Sequence, residues 1–282
     1  MKTKDQLIDE LLDLAFAEDL GDGDHTTLST IPSDAIGKSQ LIIKEDGVLA
    51  GVDIARKVLA KVDPEIKMTV SINDGEKVKK GDIAFVAEGS VRSLLIAERT
   101  MLNIMQRMSG VATMTRIYQD ELEGLHTRVL DTRKTTPGMR MLEKDAVRIG
   151  GGTNHRIGLF DMILIKDNHI DFAGGIEKAI SRAQEYCKSN NKDLKIEVEV
   201  RSLEDIRKVL AHGGVDRIMF DNFTPELTRE AVKLVNGRFE TESSGGITLQ
   251  NLRQYGEAGV DFISVGALTH SVKGLDMSFK AV

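Results

Sequence analysis

The chain has 282 residues, room for a barrel-sized core and a smaller domain, because single cores stop growing near about 250–300 residues. A hydrophobic share of 41% and a charged share of 29% describe an ordinary globular chain, and no apolar run approaches the roughly 20 residues of a membrane-spanning helix. A net charge of −6 argues against a nucleic-acid partner, and the single cysteine, Cys187, excludes an internal disulfide.

Acidic residues interrupt the first 20 positions where an export signal would need an apolar core, so the expected location is the reducing cytoplasm. Leu7, Ile8, Leu11, Leu12 and Ala15 recur at helical spacing and predict an amphipathic helix within the first 27 residues, broken by Gly-Asp-Gly-Asp at 21–24. Short strands are predicted at 39–44, 47–52 and 67–72, with turns at 73–75 and 80–82. Met101, Leu102, Ile104, Met105, Met108, Val111 and Ala112 predict a helix over 97–117, crossed by a break at Ser109 and Gly110. The domain boundary is placed there, giving an N-terminal domain of 1–112 and a second domain of 113–270, with the tail 271–282 expected to pack back on the first.

After residue 125 six short apolar strands are predicted, at 128–132, 162–166, 195–200, 217–221, 239–243 and 262–265, with helical segments between them. Ser202 followed by Asp205 resembles a capping box, and Thr224-Pro225-Glu226 supplies an N-cap with proline at the first helical position. Alternating strand and helix indicate a parallel sheet, and a barrel is preferred to an open doubly wound sheet because polar groups recur at the strand ends. Arg133 and Lys134 follow the first strand, Lys166 ends the second, Glu199 lies in the third, and Asp221 ends the fourth; Ser244, Gly245 and Gly246 follow the fifth and Gly266 the sixth.

The charge is uneven. From Arg128 to His169 there are eight Lys or Arg and five Asp or Glu, so this window is +3 and the remainder −9, which points to a small anionic ligand. Arg offers a planar fork to carboxylates and Lys a compact charge, so Arg133, Lys134, Arg156 and Lys166, with His155 as a donor, could neutralise two carboxylates on a small ring. Gly150–Gly152 reads as a bare turn that lets backbone approach a ligand. The glycines at 245–246, ahead of a helix expected near Thr248, and at 266 suit a sugar phosphate. Glu199 and Asp221 suit ribose hydroxyls or Mg²⁺.

The segments DTRKTTPGMRMLEKDAVRIGGGTNHRIGLFDMILIKDNHI, KIEVEV, IMFDN, ETESSGGI and VGALTHS, with EDLGDGDHTT, GVLAGV and ERTMLNIMQRMSGVAT before them, resemble the type II phosphoribosyltransferases that act on quinolinate, over nearly the whole chain. The resemblance implies an α/β fold with an N-terminal α/β sandwich, a C-terminal incomplete α/β barrel of about six strands, and a homodimer with shared active sites. It further implies that Arg99 reaches a neighbour's barrel, that Arg133, Lys134, His155, Arg156, Lys166 and Lys144 surround quinolinate, and that Ser244, Gly245, Gly246, Gly266 and His270 hold the phosphate of phosphoribosyl pyrophosphate. Glu199 and Asp221 would contact its ribose and Mg²⁺, and Lys134, Lys166, Glu199 and Asp221 would form the catalytic set. Asp145 departs from the pattern, in which an aromatic residue is more frequent. The rival readings are a related transferase of the molybdenum-transport-associated type acting on another small anion, a carrier module suggested by DGEKVKKGD at 74–82, and a non-catalytic scaffold. The carrier reading lacks a modifiable lysine at a hairpin tip.

Overall fold

The computed structural model describes residues 2–282. In chain order the elements begin with α1 (Lys4–Leu20), α2 (His25–Thr30), β1 (Ile36–Ile43), β2 (Gly47–Val48), α3 (Val52–Val62), β3 (Lys67–Val70), β4 (Lys77–Val78), β5 (Ile83–Ser90) and α4 (Val91–Glu121). They continue with β6 (Arg128–Leu130), α5 (Arg140–Ile149), β7 (Ile163–Ile165), α6 (Asp167–Ala173), α7 (Ile176–Ser189), β8 (Ile196–Val200), α8 (Leu203–His212), β9 (Arg217–Asp221), α9 (Pro225–Val235), β10 (Glu240–Ser244), α10 (Leu252–Glu257), β11 (Phe262–Ser264), α11 (Ala267–His270) and β12 (Met277–Ala281). Two compact units result: the described residues up to Arg116 with Thr135–Gly151 and Leu268–Val282, and Ile117–Lys134 with Gly152–Ala267.

The first unit is built on an antiparallel sheet of order β12-β1-β5-β3. The C-terminal strand β12 completes it by pairing with β1, Leu41 opposite Phe279. The N-terminal helix expected before the break at 21–24 is α1, and a second helix, α2, follows the break. Thr3 caps α1 in a capping box with Gln6, and Asp24 caps α2 by accepting from the Thr27 amide at 3.0 Å. The motif at 74–82 is structural: Asp74 accepts from the Val52 amide, Asp46 from the Lys80 amide and Asp82 from the Lys79 amide, each at 2.8–2.9 Å.

The break expected at Ser109 and Gly110 is absent, and α4 runs on through 31 residues. Both residues serve close packing. Ser109 Oγ accepts from the Ala50 amide at 2.9 Å and donates to the Ala50 carbonyl at 3.0 Å, and a Cβ at position 110 would strike the Lys273 carbonyl. Gly150 has a comparable role, because a Cβ there would strike the Ala112 carbonyl; this first glycine of the GGG turn answers to helix packing instead of a ligand. Glu143 on α5 is fully buried, takes Arg107 Nε at 2.9 Å and accepts from the Thr136 hydroxyl at 2.7 Å. Arg107 also donates to the Val272 and Thr269 carbonyls, so one guanidinium joins three separate stretches of chain. Asp145, the departure from the family pattern, is paired with Lys4 and, at 2.9 Å, with Arg148.

The second unit is a six-stranded parallel sheet of order β6-β11-β10-β9-β8-β7. That order is a ring lacking one link, β6 to β7, which makes an incomplete α/β barrel. Its outer helices start as the sequence predicts: Ser202 Oγ accepts from the Asp205 amide at 3.1 Å, and Thr224 Oγ1 from the Leu227 amide at 3.2 Å with Pro225 following. Ile206, Val209 and Leu210 are the buried stripe of α8, and Thr228, Ala231 and Val235 that of α9. The units divide at Arg116 and Ala267, close to the expected 112 and 270, and the segment 135–151, expected in the second domain, groups with the first unit.

Replacing Gly110 with alanine should lower unfolding stability by about 1–3 kcal/mol, the usual cost of forcing extra volume into a close contact. A lower midpoint in urea denaturation followed by circular dichroism is the expected observation.

Candidate active site

The strands of the second unit are parallel, so their carboxyl ends gather at one mouth, where the intervening loops bring chemistry together. Arg133 and Lys134 follow β6 on an exposed loop, the Lys134 amide bonded to Thr132 Oγ1 at 3.0 Å. Lys166 follows β7, with its Nζ 3.1 Å from Glu199 Oε2. Glu199 is itself buried on β8. Asp221 closes β9, half-buried, and accepts from the Asn222 amide side chain at 2.8 Å.

Arg156 is half-buried, and its Nη1 donates to the Met162 carbonyl at 3.3 Å. Partial burial, and then the neighbouring Arg133 guanidinium, draw its pKa below the usual arginine value, while the Glu197 carboxylate opposes that shift. Two guanidinium groups close enough to repel are stabilised by an anion shared between them.

The phosphate-type glycines are placed as strand-end turns. Gly245 has φ +95°, a conformation that side chains rarely adopt, and a Cβ there would collide with the Asn222 side chain. Gly246 also has positive φ and is exposed. The helix expected near Thr248 begins only at Leu252 and has six residues, because Asn251 Oδ1 accepts from the Thr248 amide at 2.7 Å and forms a turn there. Bare backbone at 245–246, more than a helix dipole, is therefore what this end offers an anion.

Three residues expected at the site lie in the first unit. Arg99 is exposed on α4 and lines a groove of about 240 Å³ with Leu11, Ala15, Asp19, Ile104 and Met139. Lys144, expected on a cationic rim, is instead 1% exposed on α5. His270 ends α11, exposed, with Nδ1 2.6 Å from Ser271 Oγ.

His155, expected as a donor to the ligand, is turned into the barrel interior. Its Nδ1 accepts from the Arg156 amide at 2.7 Å, and its Nε2 lies 3.0 Å from Glu197 Oε2 and 3.5 Å from Glu242 Oε2. Arg217 Nη1 reaches Glu242 at 3.0 Å, its Nη2 reaches Glu240 at 3.0 Å, and the guanidinium lies 4.2 Å from the centre of the Phe262 ring. The sequence reading missed Glu197, Glu242 and Arg217. The available signal was period two: Glu197 and Glu199 occupy alternate positions of a fully buried strand, and Glu240 and Glu242 alternate positions of one whose ends are half-buried, so each pair shares a face.

Burial, and then the adjacent Glu197, push Glu242 up to about 8. Burial pushes Glu197 up to about 7 against the pull of Arg217. Both carboxyls therefore favour the protonated form more than an exposed glutamate does, which lessens the negative charge facing Arg217. An acid whose folded pKa lies above its ordinary value of 4.5 contributes stability below that value and loses it as pH rises through the folded pKa. The melting temperature should therefore fall between about pH 5 and about pH 9. Glu242→Gln, neutral throughout, should flatten that decline in melts followed across the range.

Two family models match the chain: the quinolinate phosphoribosyl transferase N-terminal domain over residues 24–109 and the C-terminal domain over residues 111–280. The chain is 47% identical to quinolinate phosphoribosyltransferase [decarboxylating] 1b of Nicotiana tabacum, with 96% of this chain and 81% of that protein covered. It is 42% identical to the probable nicotinate-nucleotide pyrophosphorylase [carboxylating] of Bacillus subtilis, covering 95% and 91% of the two chains. Its structure is similar to that of NadC from Streptococcus pyogenes, with a TM-score of 0.93, 39% identity, and coverage of 100% and 99%.

Proposed function

The chain belongs to the quinolinate phosphoribosyltransferase family, and from that premise we propose that it joins quinolinate to phosphoribosyl pyrophosphate, forming nicotinate mononucleotide, pyrophosphate and carbon dioxide in de novo NAD biosynthesis. The observation that carries the reading within the structure is the cationic set after the first two strands of the barrel unit, Arg133 and Lys134 after β6 and Lys166 after β7, with the Arg133 charge felt at the Arg156 guanidinium. A dicarboxylate supplies two anionic groups to such a set, and a monocarboxylate only one.

The pyridine nitrogen attacks C1 of the sugar as the bond to pyrophosphate breaks, and the electron pair of that bond leaves with pyrophosphate. Arg133, Arg156, Lys134 and Lys166 hold the ring carboxylates, so the nitrogen is presented in line with C1. Glu199 and Asp221 orient the ribose and stabilise the positive charge that develops on it. The ring nitrogen is then cationic, and the bond from C2 to its carboxylate breaks with the electron pair left on C2 beside that charge. Carbon dioxide departs, and a proton joins C2. Gly245 and Gly246 offer backbone amides to the sugar phosphate, with Ser244, Gly266 and His270 as further candidates.

Mg²⁺ fits this donor set. It is usually bound by one or two carboxylates together with substrate phosphates and water, and Glu199 and Asp221 project from neighbouring strands β8 and β9 near the mouth. When bound it would neutralise pyrophosphate charge. A homodimer in which Arg99 serves the neighbouring barrel is the assembly proposed, supported by the exposure of Arg99 at the edge of a groove of mixed polar and apolar lining. No helix among the described residues is long and apolar enough to cross a membrane, and the lone free thiol of Cys187 suits a reducing compartment such as the cytoplasm.

Purified protein given quinolinate, phosphoribosyl pyrophosphate and Mg²⁺ should form nicotinate mononucleotide, and nicotinate in place of quinolinate should give far less. Arg133→Ala should fold normally and lose at least 10-fold in kcat/KM for quinolinate, the order expected when one charged carboxylate contact is lost. Wild-type kinetics in that folded variant would overturn the assignment. Mixing inactive Arg99→Ala and Lys134→Ala proteins should restore part of the activity through hybrid dimers; continued inactivity after confirmed subunit exchange would exclude shared sites.

A further inference from the structure

The barrel interior holds His155, Glu197, Glu242 and Arg217, none of which the proposed chemistry engages directly. His155 and the two glutamates offer ligand atoms within 4.8 Å of one another, a grouping compatible at first sight with a metal ion. The backbone argues otherwise. The Arg156 amide donates to His155 Nδ1 at 2.7 Å, which requires a lone pair on Nδ1 and puts the single proton of the neutral ring on Nε2. A protonated Nε2 is a donor and cannot ligate a metal. It lies 3.0 Å from Glu197 Oε2 and 3.5 Å from Glu242 Oε2, close enough for their negative charge to favour a proton on that nitrogen, although neither contact has full hydrogen-bond geometry.

The surroundings fix this arrangement from both sides. The His155 amide donates to Asp131 Oδ1 at 2.8 Å, and Asp131 is fully buried. Glu242 is held by Arg217, itself held by Glu240 and by the face of Phe262. The His155 side chain is 6% exposed and those of Glu197 and Glu242 0%, so water offers them little alternative.

We propose that Glu197, Glu242 and Arg217 are positioning residues for substrate binding: they hold His155 in the Nε2–H tautomer, and its Nδ1 in turn anchors the backbone of Arg156 beside Arg133. The inference rests on the reading that Arg133 and Arg156 receive the carboxylates of quinolinate. Without the acceptors the ring is free to carry its proton on Nδ1, where it opposes the Arg156 amide proton. The backbone at 156 then shifts, and with it the guanidinium. The defect should fall on quinolinate and not on phosphoribosyl pyrophosphate, because Arg156 is not among the groups assigned to the latter.

The test combines spectroscopy with kinetics on the full chain. Long-range ¹H–¹⁵N correlation should show wild-type His155 as the neutral Nε2–H tautomer, a measurement that needs no substitution of the cluster and uses His155→Gln only to identify the signal. Glu197→Ala should mix the tautomers and raise KM for quinolinate roughly 10-fold or more, the scale of one lost buried hydrogen-bond partner. KM for phosphoribosyl pyrophosphate should stay within about 2-fold of wild type, as expected for a loss confined to one substrate's contacts. Glu197→Gln, which keeps an acceptor oxygen, should restore both the tautomer and most of the quinolinate affinity. A wild-type ring protonated on Nδ1, or an unchanged quinolinate KM in folded Glu197→Ala, would overturn the inference. If Glu197→Ala does not fold, Glu242→Ala serves, with the same direction expected and the same unchanged KM counting against it. Failure of the functional reading looks different: the wild-type protein then makes no nicotinate mononucleotide, while the tautomer and its dependence on Glu197 are still read directly.

Discussion

Charge neutrality inside the incomplete barrel is the constraint on which the second unit depends. Its parallel strands turn one face inward, and the inward positions of β8, β9 and β10 carry Glu197, Glu199, Arg217 and Glu242 where other barrels carry branched aliphatics. Carboxylates in such a place are costly unless paired or protonated. The structure uses both remedies. Arg217 spans Glu240 and Glu242, and burial raises the pKa values of Glu197 and Glu242, so that protonation relieves part of the charge that no cation meets. Arg217 also rests on Phe262, so its charge is met by an aromatic face as well as by carboxylates.

The same alternation sorts these groups by depth. Glu197 and Glu199 share a face of β8, two residues apart, which is about 6–7 Å along a strand. The lower glutamate meets His155, and the upper meets Lys166 near the mouth. One strand therefore supports two chemistries: a sealed network below, and an exchangeable ion pair above. Lys166 has a 46% exposed side chain and can leave Glu199 for an incoming anion at little cost, as partly exposed ion pairs are weak.

Much of this plan was legible in the sequence. Six β-strand runs, their spacing and the polar groups at their ends specify a parallel layout, and Ser202 and Thr224 mark their helix starts because capping is a local interaction. Ser109 and Gly110 were misread for a physical reason: a glycine that breaks a helix and a glycine that admits a crossing backbone look the same until the partner, the Lys273 carbonyl, is known. His155 was likewise ambiguous, since imidazole can face a ligand or a buried carboxylate. The decision was carried by Glu197 and Glu242, 42 and 87 positions away in sequence and brought to His155 only by the fold of the second unit. Lys144 escaped for a similar reason, because charge alone suggests a surface and the structure buries it.

The proposed reaction gives the cationic mouth a second consequence. Quinolinate enters with two carboxylates that offset the repulsion between Arg133 and Arg156. Coupling to the sugar makes the ring nitrogen positive, and the same guanidinium groups then face a ligand that has gained positive charge. Loss of carbon dioxide restores a neutral ring nitrogen to no degree, but it removes one of the two anionic handles. The product is therefore held by fewer charge-assisted contacts than the substrate, and the pocket that captures a dicarboxylate releases a monocarboxylate more readily. The Arg156 guanidinium sharpens that contrast: half-buried and bonded to the Met162 carbonyl at 3.3 Å, it is less free to follow the remaining carboxylate than an exposed lysine is.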